Sequence, residues 1–145
     1  MPPIKPEAIA VGKVVYYSMA NLQSCGILWA KPHEMSTKEF HAVRPFAISK
    51  VDGDQVQVHP LTTQPGNDRI PVENESGDGK WQMQKSYVND PRNYWSGSRE
   101  AMSNASQLTD SCTNEDHRPR VNGKTLGDLL RRKGMGRPPP GPVDE

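Results

Sequence analysis

The pattern of apolar and polar residues changes once along the chain, between Trp95 and Gly97. Before that point apolar residues recur at about every second position, which is typical of strands with one buried face, and after it they recur at helical spacing. The first part predicts five short strands, at Val11–Tyr17, Val43–Val51, Gln55–Leu61, Arg69–Val72 and Lys80–Val88. Turn sequences such as VDGDQ and ESGDG separate these strands. Short strands joined in this way predict a small, partly open barrel or a strongly bent sheet.

The second part of the chain predicts two helices. Ser98 is a good N-cap residue for a helix over residues 98–110, and an amphipathic stretch at 125–133 ends in a basic turn before Gly134. Proline and glycine mark both ends of the chain, so we expect an extended segment at residues 1–10 and a disordered tail at 134–145. The remaining residues, 11–133, are predicted to form a single domain that is mainly β with C-terminal helices.

The second and third strands carry information about their register. A two-residue turn at Asp52-Gly53 would oppose Ile48 to Gln57, whereas a three-residue loop at 52–54 opposes Ile48 to Val58 and Phe46 to Pro60. The second register matches apolar with apolar residues, and a slip by one residue would destroy that match. We therefore predict the three-residue loop. Continued along the strands, this register places Arg44 across from Thr62, at the point where the buried face must end because an unpaired arginine cannot lie in a core.

The amino-acid composition excludes several classes of protein. The net charge is +1, from 18 Lys+Arg against 17 Asp+Glu, which excludes a globally basic nucleic-acid coat and a globally acidic tail protein. No apolar run approaches the roughly 20 residues of a membrane span, and the first residues lack the pattern of a signal peptide. We therefore expect a cytoplasmic protein that does not enter the membrane, with Cys25 and Cys112 as thiols.

Three short motifs carry a resemblance to a known family. Arg44-Pro45 opens a strand, Phe46-Ala47-Ile48 continues it, and Pro60-Leu61-Thr62 ends the next strand, while Gly12–Tyr16 fits the first strand. Over residues 11–95 this arrangement resembles the PemK/MazF family of toxin endoribonucleases. The resemblance implies a small SH3-like β-barrel, usually a homodimer, that cuts single-stranded RNA without a metal or other cofactor and is held inactive by a cognate antitoxin protein.

The resemblance also implies which residues act. The catalytic arginine and threonine of the family fall on Arg44 and Thr62, and a guanidinium fork and a hydroxyl are groups that can hold and protonate a scissile phosphate. Asp90 and Arg92 lie in the region where some members carry accessory catalytic residues. The remaining expected RNA contacts are Thr63, Gln64, Trp29 and Lys31.

Several features of the sequence keep other interpretations open. Lys13 stands where the family has an acidic residue, and a long connection from Ser18 to Val43 replaces a glycine-containing loop. These differences favour an alternative: a catalytically inactive barrel, phage-encoded and targeting a host protein, that serves as a protein-binding module. A third interpretation is nucleic-acid binding on aromatic platforms without cleavage.

The individual residues also have interpretations that are structural and involve no activity. Arg44 would then pair with Asp52 or Glu39 on the surface, and Thr62 would only begin a turn. His33 has no second histidine at metal-binding spacing, so no metal site is predicted. His59 is predicted to lie on the outer face of its strand.

Overall fold

The computed structural model describes residues 4–30, 32–64, 70–75, 85–88, 92–110, 118–124 and 126–127. Its elements in chain order are a 3-10 turn at Pro6–Ala8, β1 (Val14–Ser18), α1 (Met19–Ser24), β2 (Leu28–Trp29), α2 (Thr37–His41), β3 (Val43–Asp52), β4 (Gln55–Thr62), β5 (Ile70–Val72), β6 (Asn74–Glu75), β7 (Ser86–Val88), β8 (Trp95–Ser98), α3 (Arg99–Gln107) and β9 (Arg120–Val121). The protein is mainly β with an antiparallel sheet and a few helices, as predicted.

The long strands β3 and β4 form the centre of the sheet. β3 pairs with β1 on one side and β4 on the other, and β4 divides its length between two further partners. The first half of β4 pairs with β8, and β8 also pairs with β2. The last residues of β4 pair with β7, and β7 also pairs with β5. A separate pair joins β6 to β9. Within the described residues the sheet branches at β4 and ends at β1, β2 and β5, so these strands do not close into a barrel.

The predicted register between β3 and β4 is confirmed, but the predicted loop is wrong. Ile48 opposes Val58 and Phe46 opposes Pro60, while Asp52 pairs with Gln55, which leaves a two-residue turn at Gly53-Asp54. Gly53 has a φ of +59°, the conformation that such hairpin turns require at their first central position. The register shifts between Ile48 and Lys50, so the extra residue sits in a β-bulge at Ser49 rather than in the loop.

Apolar side chains cover both faces of this sheet. On one face Val15, Phe46 and Val58 belong to a core that is closed by α1, α3 and the N-terminal residues. On the other face Ala47 and Leu61 belong to a second, smaller core that includes residues of β5, β7 and β9. The sheet is therefore the middle layer of the fold, buried from both sides.

Tyr17 shows how closed the larger core is. Its side chain is fully buried against Phe46, with the two ring centroids 5.6 Å apart, and its hydroxyl donates to the Met102 carbonyl at 3.1 Å. Burial raises the pKa of the Tyr17 phenol well above its ordinary value.

The long connection before β3 is structured. Residues 19–42, called the connecting segment below, contain α1, β2 and α2, none of which was predicted. Ser18 and Ser36 cap the two helices, each accepting a backbone hydrogen bond at 3.1 Å. β2 then pairs with β8, so the segment packs along the edge of the sheet as part of the domain.

The ends of several predicted elements differ from the structure. β1 begins at Val14 because Val11 and Gly12 form a turn, and Val11 is 46% exposed. Ser98 caps α3 as predicted, through a hydrogen bond from the Ala101 amide, but the helix ends at Gln107 and leaves Leu108 exposed. Of the predicted helix at 125–133, only residues 126–127 are described, and they are helical. The predicted tail at 134–145 lies outside the described residues.

A buried ion pair fastens the C-terminal strand to β1. Arg118 donates to Asp110 at 2.6 Å and to the Val14 carbonyl at 3.3 Å, and both charged side chains are almost completely buried. The chain then runs into β9, where the Val121 amide donates to the Gly12 carbonyl.

Candidate active site

Arg44 and Thr62 lie where β3 and β4 separate. The ladder between these strands ends at Phe46 and Pro60, and beyond it β3 continues beside β1 while β4 continues beside β7. Pro45 and Pro60 have no N–H to donate, so they cannot extend the ladder across this gap. Both Arg44 and Thr62 are half-buried, whereas Phe46 and Leu61 are buried. Arg44 therefore does not pair directly across from Thr62 as predicted, but the buried face does end at these two residues, as predicted.

The gap between the two strands opens into two adjoining cavities. One, of about 300 Å³, is lined by Val43, Pro45, Thr63 and Ser86, and the other, of about 170 Å³, is lined by residues of the connecting segment. Arg44, Leu61 and Thr62 line both cavities. The two predicted catalytic residues thus face the same space.

The side chain of Arg44 is left without the expected surface partner. Its Nε is buried and has no hydrogen-bond partner, and no ion pair with Asp52 or Glu39 is present among the described residues. Asp52 lies at the far end of β3, while Glu39 lines the smaller cavity but does not bond the guanidinium. A buried donor left unpaired costs about 1–3 kcal/mol. The Arg44 side chain also lines both cavities, and a guanidinium is a group suited to binding an anion there.

Thr62 does begin a turn, and this fixes its hydroxyl. Thr62 Oγ1 accepts a hydrogen bond from the Gln64 backbone amide at 3.2 Å. Because the oxygen accepts in this bond, its own proton remains a donor for a group in the cavity. The turn and the functional interpretation of Thr62 are therefore compatible.

The connecting segment supplies polar groups on the far side of the smaller cavity. His33 and Glu39 line it together with Asn93, which precedes β8. From the sequence, His33 was considered as a metal ligand and Glu39 as a partner of Arg44. No spacing rule links either residue to Thr62, because tertiary contacts alone bring them together.

Three packed aromatic rings fix the side of the smaller cavity that His33 lines. Trp29 stacks on Trp95 with centroids 4.9 Å apart and an interplanar angle of 11°, and its Nε1 donates to the Asn93 side-chain oxygen. His33 lies edge-on to Trp29 at 5.0 Å. Trp29, predicted to stack on RNA bases, thus has one face covered by Trp95 and is half-buried.

The structure describes three of the other predicted site residues. Thr63 lines the larger cavity and is exposed, and Gln64 follows it on the surface. Arg92 is exposed and lines neither cavity. Lys31 and Asp90 lie outside the described residues.

The prediction that His59 lies on an outer face is wrong, because that face is covered by the second core. His59 is fully buried, and its Nδ1 is 2.7 Å from the Ser49 hydroxyl, which itself donates to the Gln57 carbonyl. The bulge at Ser49 thus provides a partner for a buried imidazole.

No group of three or more His, Cys, Asp or Glu side chains among the described residues is placed to hold a metal ion. None of the helices in that part of the chain combines the length and apolarity needed to cross a bilayer.

Comparisons with known proteins add nothing to this geometry, since no protein-family model, curated protein or solved structure matches the chain.

Proposed function

We propose that the protein is an endoribonuclease that cleaves single-stranded RNA without a metal and acts as the toxin of a type II toxin–antitoxin system. The single observation that carries the proposal is the Arg44–Thr62 pair, which faces a shared cavity with an unpaired guanidinium nitrogen. The motif resemblance implies these two residues, and the strand register predicted independently that both lie where the buried face ends.

The chemistry proposed for the pair is transfer of a phosphate within the RNA strand. The 2′-hydroxyl attacks the adjacent phosphorus, the bond from phosphorus to the 5′-oxygen breaks, and the products are a 2′,3′-cyclic phosphate and a 5′-hydroxyl. Negative charge grows on the phosphate oxygens during this step, and the Arg44 fork is matched to those oxygens. The Thr62 hydroxyl would donate a hydrogen bond to a phosphate oxygen and orient it.

The wider parts of the proposal follow from the resemblance alone. They are closure of the bent sheet into an SH3-like barrel, assembly as a homodimer, inhibition by a cognate antitoxin protein and action on mRNA in the cytoplasm.

One observation favours the second candidate, a protein-binding module without activity. Leu28 in β2 is 73% exposed and Val43 at the start of β3 is 52% exposed, so apolar side chains of the connecting segment and of β3 are open to a partner protein. Folded protein that leaves RNA intact but binds a protein through Leu28 and Val43 would support this candidate.

The deciding experiment is cleavage of a mixed-sequence single-stranded RNA in EDTA, with product ends identified by mass spectrometry. We expect Arg44→Ala to lower the rate by about 100- to 1000-fold, as the loss of a charge-stabilising donor does. Arg44→Lys should also be slow because it keeps the charge and loses the fork. Lys50→Ala removes a cation about 20 Å further along β3 and serves as the matched control, with the parent rate expected.

Two results would contradict the proposal. One is RNA that stays intact with the folded parent protein, and the other is cleavage that Arg44→Ala leaves unchanged, since that would trace the activity to another site or to a contaminant.

A further inference from the structure

His33 is the group of the connecting segment best placed to move a proton in the site. It lines the 170 Å³ cavity together with Arg44 and Thr62, and its ring is exposed. The histidine side chain is the one most often used for general acid–base catalysis, because it changes charge near neutral pH.

Hydrogen bonding fixes which nitrogen of this ring is available. Nδ1 lies 3.1 Å from the Glu34 carbonyl oxygen. A carbonyl oxygen only accepts, so in the neutral ring Nδ1 carries the proton and Nε2 presents its lone pair. The ring also rests edge-on against Trp29, which is itself fixed by its stack on Trp95.

We propose that His33 is the general base of the cleavage reaction, an inference that rests on the proposed function. Nε2 accepts the proton of the attacking 2′-hydroxyl while the 2′-oxygen bonds to phosphorus. The bond to the 5′-oxygen breaks, that oxygen takes a proton from water, and the imidazolium later returns its proton to solvent. The step needs no oxidant, reductant or other co-reactant.

The charged groups that share the smaller cavity with His33 are Glu39 on α2 and Arg44 on β3. Glu39 is the competing base, but its carboxylate is engaged in capping α2. Ser36 Oγ donates to Glu39 Oε1 at 3.4 Å while accepting from the Glu39 amide at 3.1 Å. Arg44 holds its proton at all relevant pH values and so cannot serve as the base.

The test compares His33→Gln with the full-length parent in the RNA cleavage assay. We expect a loss of about 100-fold or more in rate at pH 7, the range for a missing general base. Binding of an uncleavable RNA with 2′-deoxy sugars should stay within about twofold of the parent, because the base acts on a hydroxyl that this ligand lacks. His41→Gln, an exposed histidine of α2 outside both cavities, should keep the parent rate.

A pH profile and a rescue separate a catalytic role from a structural one. The rate of the parent should rise with pH, because a general base acts in its unprotonated form, and the rise should vanish in His33→Gln. Added imidazole should restore part of the rate of His33→Gly, because it can replace a missing base but not a missing packing contact.

The outcomes also distinguish this inference from the proposed function. Cleavage that needs Arg44 but proceeds at the parent rate in His33→Gln overturns the role of His33 alone. Loss of the pH-dependent rise in Glu39→Gln but not in His33→Gln assigns the base to Glu39 and overturns it as well. If the folded parent does not cleave RNA, the proposed function fails and this inference fails with it.

Discussion

Two regions of very different construction face each other across the candidate site. The β3–β4 hairpin carries Arg44 and Thr62 on long strands that are buried on both faces. These strands pair with each other as far as Phe46 and Pro60, and with β1 and β7 beyond that point. The connecting segment carries His33 in a loop and Glu39 on α2. Its short elements are held by helix caps, one two-residue strand pair and a stack of rings. A backbone ladder fixes position whatever the side chains are, whereas side-chain contacts fix it only while each contact persists. The hairpin should therefore be the rigid wall of the site and the connecting segment the wall that can open.

The largest expected difference between the two regions comes from their phenylalanines. Phe46 is fully buried in the hairpin, and Phe40 in α2 is half-buried. Phe46→Ala should lower the free energy of unfolding by about 3–5 kcal/mol, the usual cost of removing a buried ring. Phe40→Ala should cost less than half as much because less apolar surface is removed from its packing.

Urea unfolding followed by tryptophan fluorescence measures both variants, with the parent as reference. Equal losses of stability would mean that the connecting segment packs into the core as tightly as the hairpin does. That result would contradict the proposed difference in rigidity between the two regions.

An intermediate effect is expected where the connecting segment meets the sheet. A Cβ added at Gly97 in β8 would lie 2.9 Å from Ile27 Cγ1, which is closer than two non-bonded carbon atoms normally approach. Gly97→Ala should therefore push Ile27 off β8, at a cost of about 1–3 kcal/mol. Hydrogen exchange should speed up in β2 and change little in the β3–β4 ladder.

Gly123→Ala is the matched control, because a Cβ there meets nothing within 4 Å and the backbone is not in the left-handed region. Its stability should stay within about 0.5 kcal/mol of the parent. Faster exchange throughout β3 and β4 in Gly97→Ala would show that the two walls are one cooperative unit.

The sequence predicted the hairpin because its strands are long enough for alternation to appear. Matching Ile48 with Val58 and Phe46 with Pro60 yielded the right register for this part of the hairpin. The pairing ends before Arg44 and Thr62, whose strand partners are Tyr17 and Tyr87. The position of the extra residue could not be predicted in this way. A residue added in the loop and a residue added in a bulge at Ser49 shift the register equally, and only the backbone conformation distinguishes them.

The remainder of the site could not be predicted, for two physical reasons. The elements of the connecting segment span two to six residues, too few for a periodic pattern, so His33 and Glu39 carried no signal of their location. The second core is completed by β5, β7 and β9, which are equally short, so no periodic pattern predicted that the face carrying His59 would be covered.

The smallest expected effect concerns the cap of α2. Ser36 Oγ accepts from the Glu39 amide at 3.1 Å and is exposed, so Ser36→Ala should lose about 1 kcal/mol of local helix stability. Because α2 has five residues and no buried ones, this loss should appear as faster hydrogen exchange of the α2 amides, with global unfolding nearly unchanged. Ser24→Ala, at the C-terminal end of α1, removes an exposed hydroxyl that only donates to the Asn21 carbonyl, and it should leave α2 exchange at the parent rate. If Ser36→Ala lowers global stability by the full kilocalorie, α2 unfolds only with the hairpin, and the wall that carries Glu39 is as fixed as the wall that carries Arg44.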